Sequence, residues 1–151
     1  MPLIRKAKNI FLAALRANNT PARLALSFCM GIYIAFSPFP GGHTAMMFGA
    51  TWLFRLNFPI LFFATSFNNP WTMVPFYAAD YSFGYWLIRS FFGFNPAWAF
   101  TWERFLGSSK ICLWSFLIGG NVLGIVCAVA CYPAILRLFL FLDAKVNKVQ
   151  V

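Results

Sequence analysis

The chain has 151 residues, of which 61% are hydrophobic, 21% aromatic and 10% charged, with a mean hydropathy of +0.70 and a formal net charge of +9. A soluble domain of this size has more surface than so few charges could cover, so the composition argues against a soluble globular class and favours lipid as the solvent. The basic residues are spread thinly instead of clustering on one face, which argues against nucleic acid and for contact with anionic membrane lipids.

The first predicted element is an interfacial amphipathic helix in residues 1–20. Its apolar side chains repeat along one helical face, while the basic ones are turned largely away, which is typical of a helix that lies on a membrane. Lys8 and Arg16 interrupt the apolar stretch, so it does not read as a secretory signal. Thr20 followed by Pro21 predicts the start of the next helix, because Thr caps and Pro suits the first helical position.

The second predicted element is the uncharged run 24–54, which contains a break. As one helix it would be about 46 Å long, whereas the hydrocarbon core of a bilayer is about 30 Å thick and two crossings need roughly 40 residues. The stretch FSPFPGGHT, residues 36–44, supplies the interruption, because proline disfavours helix and paired glycines allow a reversal. The predicted breaking residues are Pro38, Pro40, Gly41 and Gly42.

The third predicted element, 56–88, is likewise too long for one straight membrane span and too short for two. It carries Asp80 as its sole charge. Its break is FNNPWTMVP, residues 67–75, where Pro70 disfavours helix at Asn69 and Thr72 can cap the helix that follows. Two similar units therefore follow each other, which suggests an internal repeat. Irregular backbone at membrane depth cannot face lipid, so we expect the two breaks to lie opposite each other.

The last apolar run, 111–136, predicts a membrane span at 111–132. Gly120, Asn121 and Gly124 favour close packing of this helix against a neighbour. The transmembrane domain is predicted to cover residues 21–142, with a basic tail at 143–151. Basic residues near both ends predict that both termini are cytoplasmic, which requires an even number of crossings.

The polar residues of the apolar runs form the candidate site for a substrate or a proton. If helices start near the two breaks, their free N–H groups favour an anion, and a histidine or a carboxyl group there could carry a proton. The alternative is that the amides, hydroxyls and histidine only cap broken helices, and that the acid pairs with Arg55 or Arg89. The candidate residues are His43, Thr44, Asn68, Asn69, Thr72 and Asp80.

Catalytic and metal sites are not indicated. The sequence has no phosphate-binding glycine loop and no paired histidines or carboxylates at metal-ligand spacing. The four cysteines lie in apolar segments without a C-x-x-C pair, so they are interpreted as buried thiols. We therefore predict no enzyme activity, no metal and no cofactor.

The segments ARLALSFCMGIYIAFSPFPGGHT, LNFP, NNPWTMVPFY and YSFGYWL occur in this order over about residues 20–135. This order resembles the bacterial membrane family of unknown function numbered two-zero-six-two, which carries an SP-x-PG-x-HT-like turn, an LN-x-P step and an NP-x-T-x-x-P-x-Y segment. Gly41 and Gly42 both precede His43 here, where one glycine and another residue are the usual pattern. The resemblance implies an integral membrane location and, through glycosyltransferase attachments in some members, lipid-linked sugar or envelope chemistry.

The sequence thus predicts an all-α integral membrane protein of the bacterial inner membrane. It would be a small multi-pass helical bundle with two Pro/Gly-broken or re-entrant segments and an interfacial N-terminal helix. The first functional hypothesis is a translocator of an anionic lipid, a lipid-linked intermediate or a small solute between the broken helices. The alternative is a non-transporting accessory module of an envelope complex, with the breaks serving packing. The expected partners are membrane lipids and either a second copy or another membrane protein.

Overall fold

The computed structural model describes residues 20–39, 41–93, 99–101 and 110–147. Most of the described chain is helical, which confirms the all-α part of the predicted fold class. The interfacial helix predicted for residues 1–20 lies outside the described residues except for Thr20, and so does Pro40. The elements in chain order are α1 (Pro21–Ala35), α2 (His43–Phe54), α3 (Phe58–Thr65), α4 (Met73–Phe92), β1 (Ala99–Thr101), β2 (Lys110–Cys112) and α5 (Leu113–Asn147), with β1 and β2 paired antiparallel.

Helix α1 begins where the sequence predicts. The Thr20 hydroxyl accepts a hydrogen bond from the Arg23 N–H at 3.3 Å, and Pro21 occupies the first helical position. After α1 ends, the described residues of 36–42 are non-helical, and Gly41 has a φ of 83°, a conformation that favours glycine. A second non-helical segment, 66–72, separates α3 from α4.

Helices α1 and α3 run parallel and are joined by buried polar contacts. The Ser27 hydroxyl donates to the Arg23 carbonyl and accepts from the Asn57 N–H, both at 2.8 Å, while the Asn57 side chain caps the start of α3. Farther along, the Thr65 hydroxyl hydrogen-bonds the Gly31 carbonyl at 3.3 Å. Around these contacts lie two apolar clusters, one of Leu24, Ala25, Ile60 and Phe139, the other of Ile34, Met47, Leu56 and Leu61.

Helix α5 is the longest element, and it packs against both α4 and α1. It has 35 residues, contains Pro133 and continues to Asn147, well past the end of the predicted span 111–132. Its segment Trp114–Ala144 contains an 18-residue stretch with a mean hydropathy of 2.3, which makes α5 the one described helix that is long and apolar enough to cross a membrane. This judgement rests on length and composition alone.

Glycines set the separation between α5 and its neighbours. A Cβ on Gly119 would meet the Asp80 carbonyl, and a Cβ on Gly84 would meet the Ser115 carbonyl, so α4 and α5 are antiparallel with their backbones in contact. On another face of α5, a Cβ on Gly120 would lie 2.6 Å from the Phe36 carbonyl oxygen, and one on Gly124 would lie 3.1 Å from Phe36 Cβ. Small residues one turn apart permit this close approach on both faces.

Candidate functional site

The second non-helical segment contacts the end of α1, directly before the first non-helical segment begins. The Asn68 side-chain N–H donates to the Ala35 carbonyl at 2.6 Å, which ties the second break to the end of α1. The rings of Phe36 and Phe76 pack beside this bond, with their centroids 4.7 Å apart. We call the described residues of 36–42 together with 66–72 the break junction.

His43, the first residue of α2, caps the Ser37 carbonyl of the first break. Its Nε2 lies 3.1 Å from the Ser37 carbonyl oxygen, which can only accept, so Nε2 carries the proton in this contact. The Ser37 side chain is buried and donates to the Met46 sulfur at 3.3 Å, and Pro38 is buried beside it. This is the capping geometry that the sequence left open as the alternative role of His43.

The second break is held by a local network of turns. The Asn69 side-chain oxygen accepts from the N–H groups of Trp71 and Thr72 at 2.9 and 3.1 Å. The Thr72 hydroxyl in turn accepts from the Asn69 N–H at 3.0 Å and donates to the Phe67 carbonyl. Asn69 and Thr72 therefore satisfy nearby backbone groups, and Thr44 is exposed in the first turn of α2.

Asp80 is a residue of α4 and is buried where this helix packs against α5. It is 0% exposed, and neither carboxyl oxygen has a hydrogen-bond partner. Its Cγ and the Cδ of Pro38 lie 3.4 and 3.1 Å from the point where a Cβ on Gly120 would stand, so the carboxyl group adjoins the first break. Arg55 and Arg89 are exposed and form no ion pair with it in the described part of the chain.

Sequence reasoning missed several residues of this region. One of them is Ser115, whose hydroxyl oxygen is buried without a hydrogen-bond partner. The spacing of Ser115 and Gly119, one helical turn apart, is the small-residue signal that could have revealed the α4–α5 contact. The predicted packing residue Asn121 accepts a hydrogen bond from the Tyr33 hydroxyl at 2.7 Å and donates to the Leu117 carbonyl at 2.8 Å.

An apolar groove runs along the surface between α1 and α5, with a volume of about 460 Å³. Leu26 and Val129 on its rim are exposed, so the groove faces outward. Its lining residues are Leu26, Cys29, Met30, Tyr33, Ile125, Ala128, Val129 and Tyr132. Within the described residues, no three His, Cys, Asp or Glu side chains are grouped as metal ligands would be.

The comparison with protein families decides where the chain belongs. A family model described as "Uncharacterized protein conserved in bacteria (DUF2062)" matches residues 4–146. The chain is a member of this family. The DUF2062 match covers α1 to β2 and α5 up to residue 146, including both breaks and Asp80. Comparisons with curated proteins and with solved structures give no match.

Replacing His43 by alanine tests whether this side chain is a cap. We expect a loss of about 1 kcal/mol in stability, because the Ser37 carbonyl loses its partner in a buried turn. The measurement is the thermal midpoint in detergent, with Thr44→Ala as the control because Thr44 is exposed on the same turn. Equal midpoints for the two variants would show that the His43 contact adds no stability.

Proposed function

We propose that this protein is a multi-pass integral membrane protein of the bacterial inner membrane. On this proposal it translocates an anionic lipid, a lipid-linked intermediate or a small solute past the break junction. The observation that carries the transport proposal is Asp80, a fully buried acid with unpartnered oxygens beside an interrupted helix. Ionisable groups in such positions are costly to bury, and in membrane proteins they mark paths for substrates or protons.

The membrane location is supported by the apolar surface of the bundle. In the most apolar part of α5 only 6% of the residues are buried, so this helix is not the core of a soluble domain. Elsewhere, Trp52 and Trp71 are 84% and 91% exposed, and many phenylalanines are exposed as well. So many exposed large apolar side chains are stable in contact with lipid, whereas in water they would favour aggregation.

The groove between α1 and α5 supports a lipid-like substrate. It is apolar, it faces outward, and Tyr33 in its lining lies one turn before the break junction. A lipid chain could therefore lie in the groove while its head group approaches the junction from the same side. The proposal assigns the groove to acyl or prenyl chains and the junction to the passage of the polar group.

The accessory role remains the second candidate, and one set of observations favours it. His43, Asn68, Asn69 and Thr72 all satisfy backbone groups of the breaks, so none of them is aimed as a free donor at an anion. The closely packed glycines of α5 likewise make this region a tight joint. If the breaks serve only to pack the helices, their polar groups are expected to be bonded within the protein in this way.

Reconstitution in liposomes separates the two functions. The protein would be inserted into vesicles with fluorescent phosphatidylglycerol in one leaflet, followed by a quencher that reaches only the outer leaflet. We expect faster exchange than in empty vesicles, at least about tenfold slower exchange with Asp80→Asn, and no change with Asp143→Asn, an exposed acid on α5. Absence of flux for phosphatidylglycerol, polyprenyl phosphates and small anions would contradict transport and favour the accessory role.

A further inference from the structure

Asp80 has an environment that no structural role explains. A buried carboxylate without a partner is strongly unfavourable, so the group must be neutralised either by a proton or by a bound cation. The described residues supply no cationic side chain within bonding distance of it. Replacement by a well-packed apolar residue would remove the cost, so the fold gains no evident stability from an acid at this position.

A backbone carbonyl lies beside the carboxyl group. The Phe36 carbonyl oxygen follows the last turn of α1 and lies 2.6 Å from the Cβ position of Gly120, the same point that Asp80 Cγ approaches at 3.4 Å. Carboxyl and carbonyl oxygens are ligands of hard cations, and the carbonyl end of a helix adds negative potential.

The titratable neighbours do not neutralise the carboxyl group. Tyr77 on α4 and Cys127 on α5 interact with Asp80, and both groups are neutral when protonated and negative when deprotonated. His43, at the end of the first break, is hydrogen-bonded to the Ser37 carbonyl. Within the described residues, no basic side chain forms an ion pair with the carboxyl group.

We propose that Asp80, with the Phe36 carbonyl, forms a site for one monovalent cation, a proton or Na⁺. Gly120 is required because a side chain there would fill the space between the carboxyl group and the end of α1. Occupancy of the site would alternate with movement of α1 against α5, since the site lies between the end of α1, Asp80 on α4 and Gly120 on α5. As the coupling site of a transporter this inference rests on the proposed function, whereas binding itself can be measured without flux.

Carbodiimide labelling tests the site directly. Dicyclohexylcarbodiimide partitions into apolar regions and reacts with protonated carboxyl groups, giving an N-acylurea that mass spectrometry detects. The chain contains three acidic residues, Asp80, Glu103 and Asp143, so an adduct can be assigned by peptide mapping. We expect Asp80 to be labelled in the purified full-length protein, and more slowly as the pH is raised, because only the protonated carboxyl group reacts.

A comparison of NaCl with choline chloride distinguishes the two occupants. Slower labelling and a higher thermal midpoint in NaCl alone identify Na⁺, whereas labelling that depends on pH but not on Na⁺ identifies the proton. Asp80→Asn, which keeps the shape of the side chain, should lose the adduct and the cation dependence of the midpoint, while Asp143→Asn should keep both. Failure to label Asp80 at any pH, or labelling that responds to neither pH nor Na⁺, would overturn the proposal. Labelling that follows the expected pattern without lipid or solute flux would refute transport alone.

Discussion

Replacing Gly119 by alanine is expected to disrupt the contact between α4 and α5 and to destabilise the protein by about 3 kcal/mol or more. The added methyl group would stand on the Asp80 backbone carbonyl, and the reciprocal change at Gly84 would stand on the Ser115 carbonyl. A helix backbone cannot rotate away as a side chain can, so the helices would have to separate. The expected result is a strongly lowered thermal midpoint in detergent for either variant.

Gly49→Ala is the matched control for these substitutions. Gly49 also lies within a helix, but a Cβ there would meet no atom within 4 Å. Alanine favours helix over glycine by about 1 kcal/mol, so this variant should be neutral or slightly stabilised. If Gly119→Ala and Gly49→Ala had the same thermal midpoint, the close approach of α4 and α5 would be refuted.

Replacing Asn68 by alanine is expected to separate the two breaks and to destabilise the protein by about 1–3 kcal/mol. The Asn68 amide donates to the Ala35 carbonyl at 2.6 Å, and Ala35 is fully buried, so water cannot readily replace the lost donor. Hydrogen exchange should therefore increase at backbone amides in residues 36–42 as well as in the altered segment. This remote effect distinguishes a joint between the breaks from a local cap.

Asn69→Ala provides the comparison for the second substitution. Asn69 is exposed and hydrogen-bonds only residues of its own turn. Asn69→Ala should therefore lower the stability less, and it should raise hydrogen exchange only in residues near 69–73. A thermal midpoint for Asn68→Ala equal to that of Asn69→Ala, with unchanged exchange in residues 36–42, would show that the two breaks are not energetically coupled.

Local backbone chemistry was readable in the sequence. Thr20 and Pro21 start α1 as predicted, because a cap and a fixed φ act within a few residues and need no tertiary partner. The chain is non-helical where Pro38, Gly41 and Pro70 were predicted to interrupt the apolar runs. The family was also identified from the sequence, and its model matches residues 4–146.

The last helix is longer than the membrane span that the sequence predicts within it. The predicted span covers 111–132, whereas α5 continues through Pro133 to Asn147. Bilayer thickness limits the length of a span, but a helix can extend beyond the hydrocarbon core while its backbone hydrogen bonds continue. The length of the helix therefore could not be read from the span.

The sequence by itself determined the apolar class, the positions of the breaks and the presence of one acid within the apolar runs. Only the tertiary structure decided that His43 caps Ser37, that Asn68 reaches Ala35, and that Asp80 adjoins the end of α1 without a partner. The reason is that capping and turn preferences act over a few neighbouring residues, whereas these contacts depend on how separate helices cross. That crossing is set by close contacts between glycines such as Gly84 and Gly119. These two glycines lie 35 positions apart in the chain, so no local sequence pattern connects them.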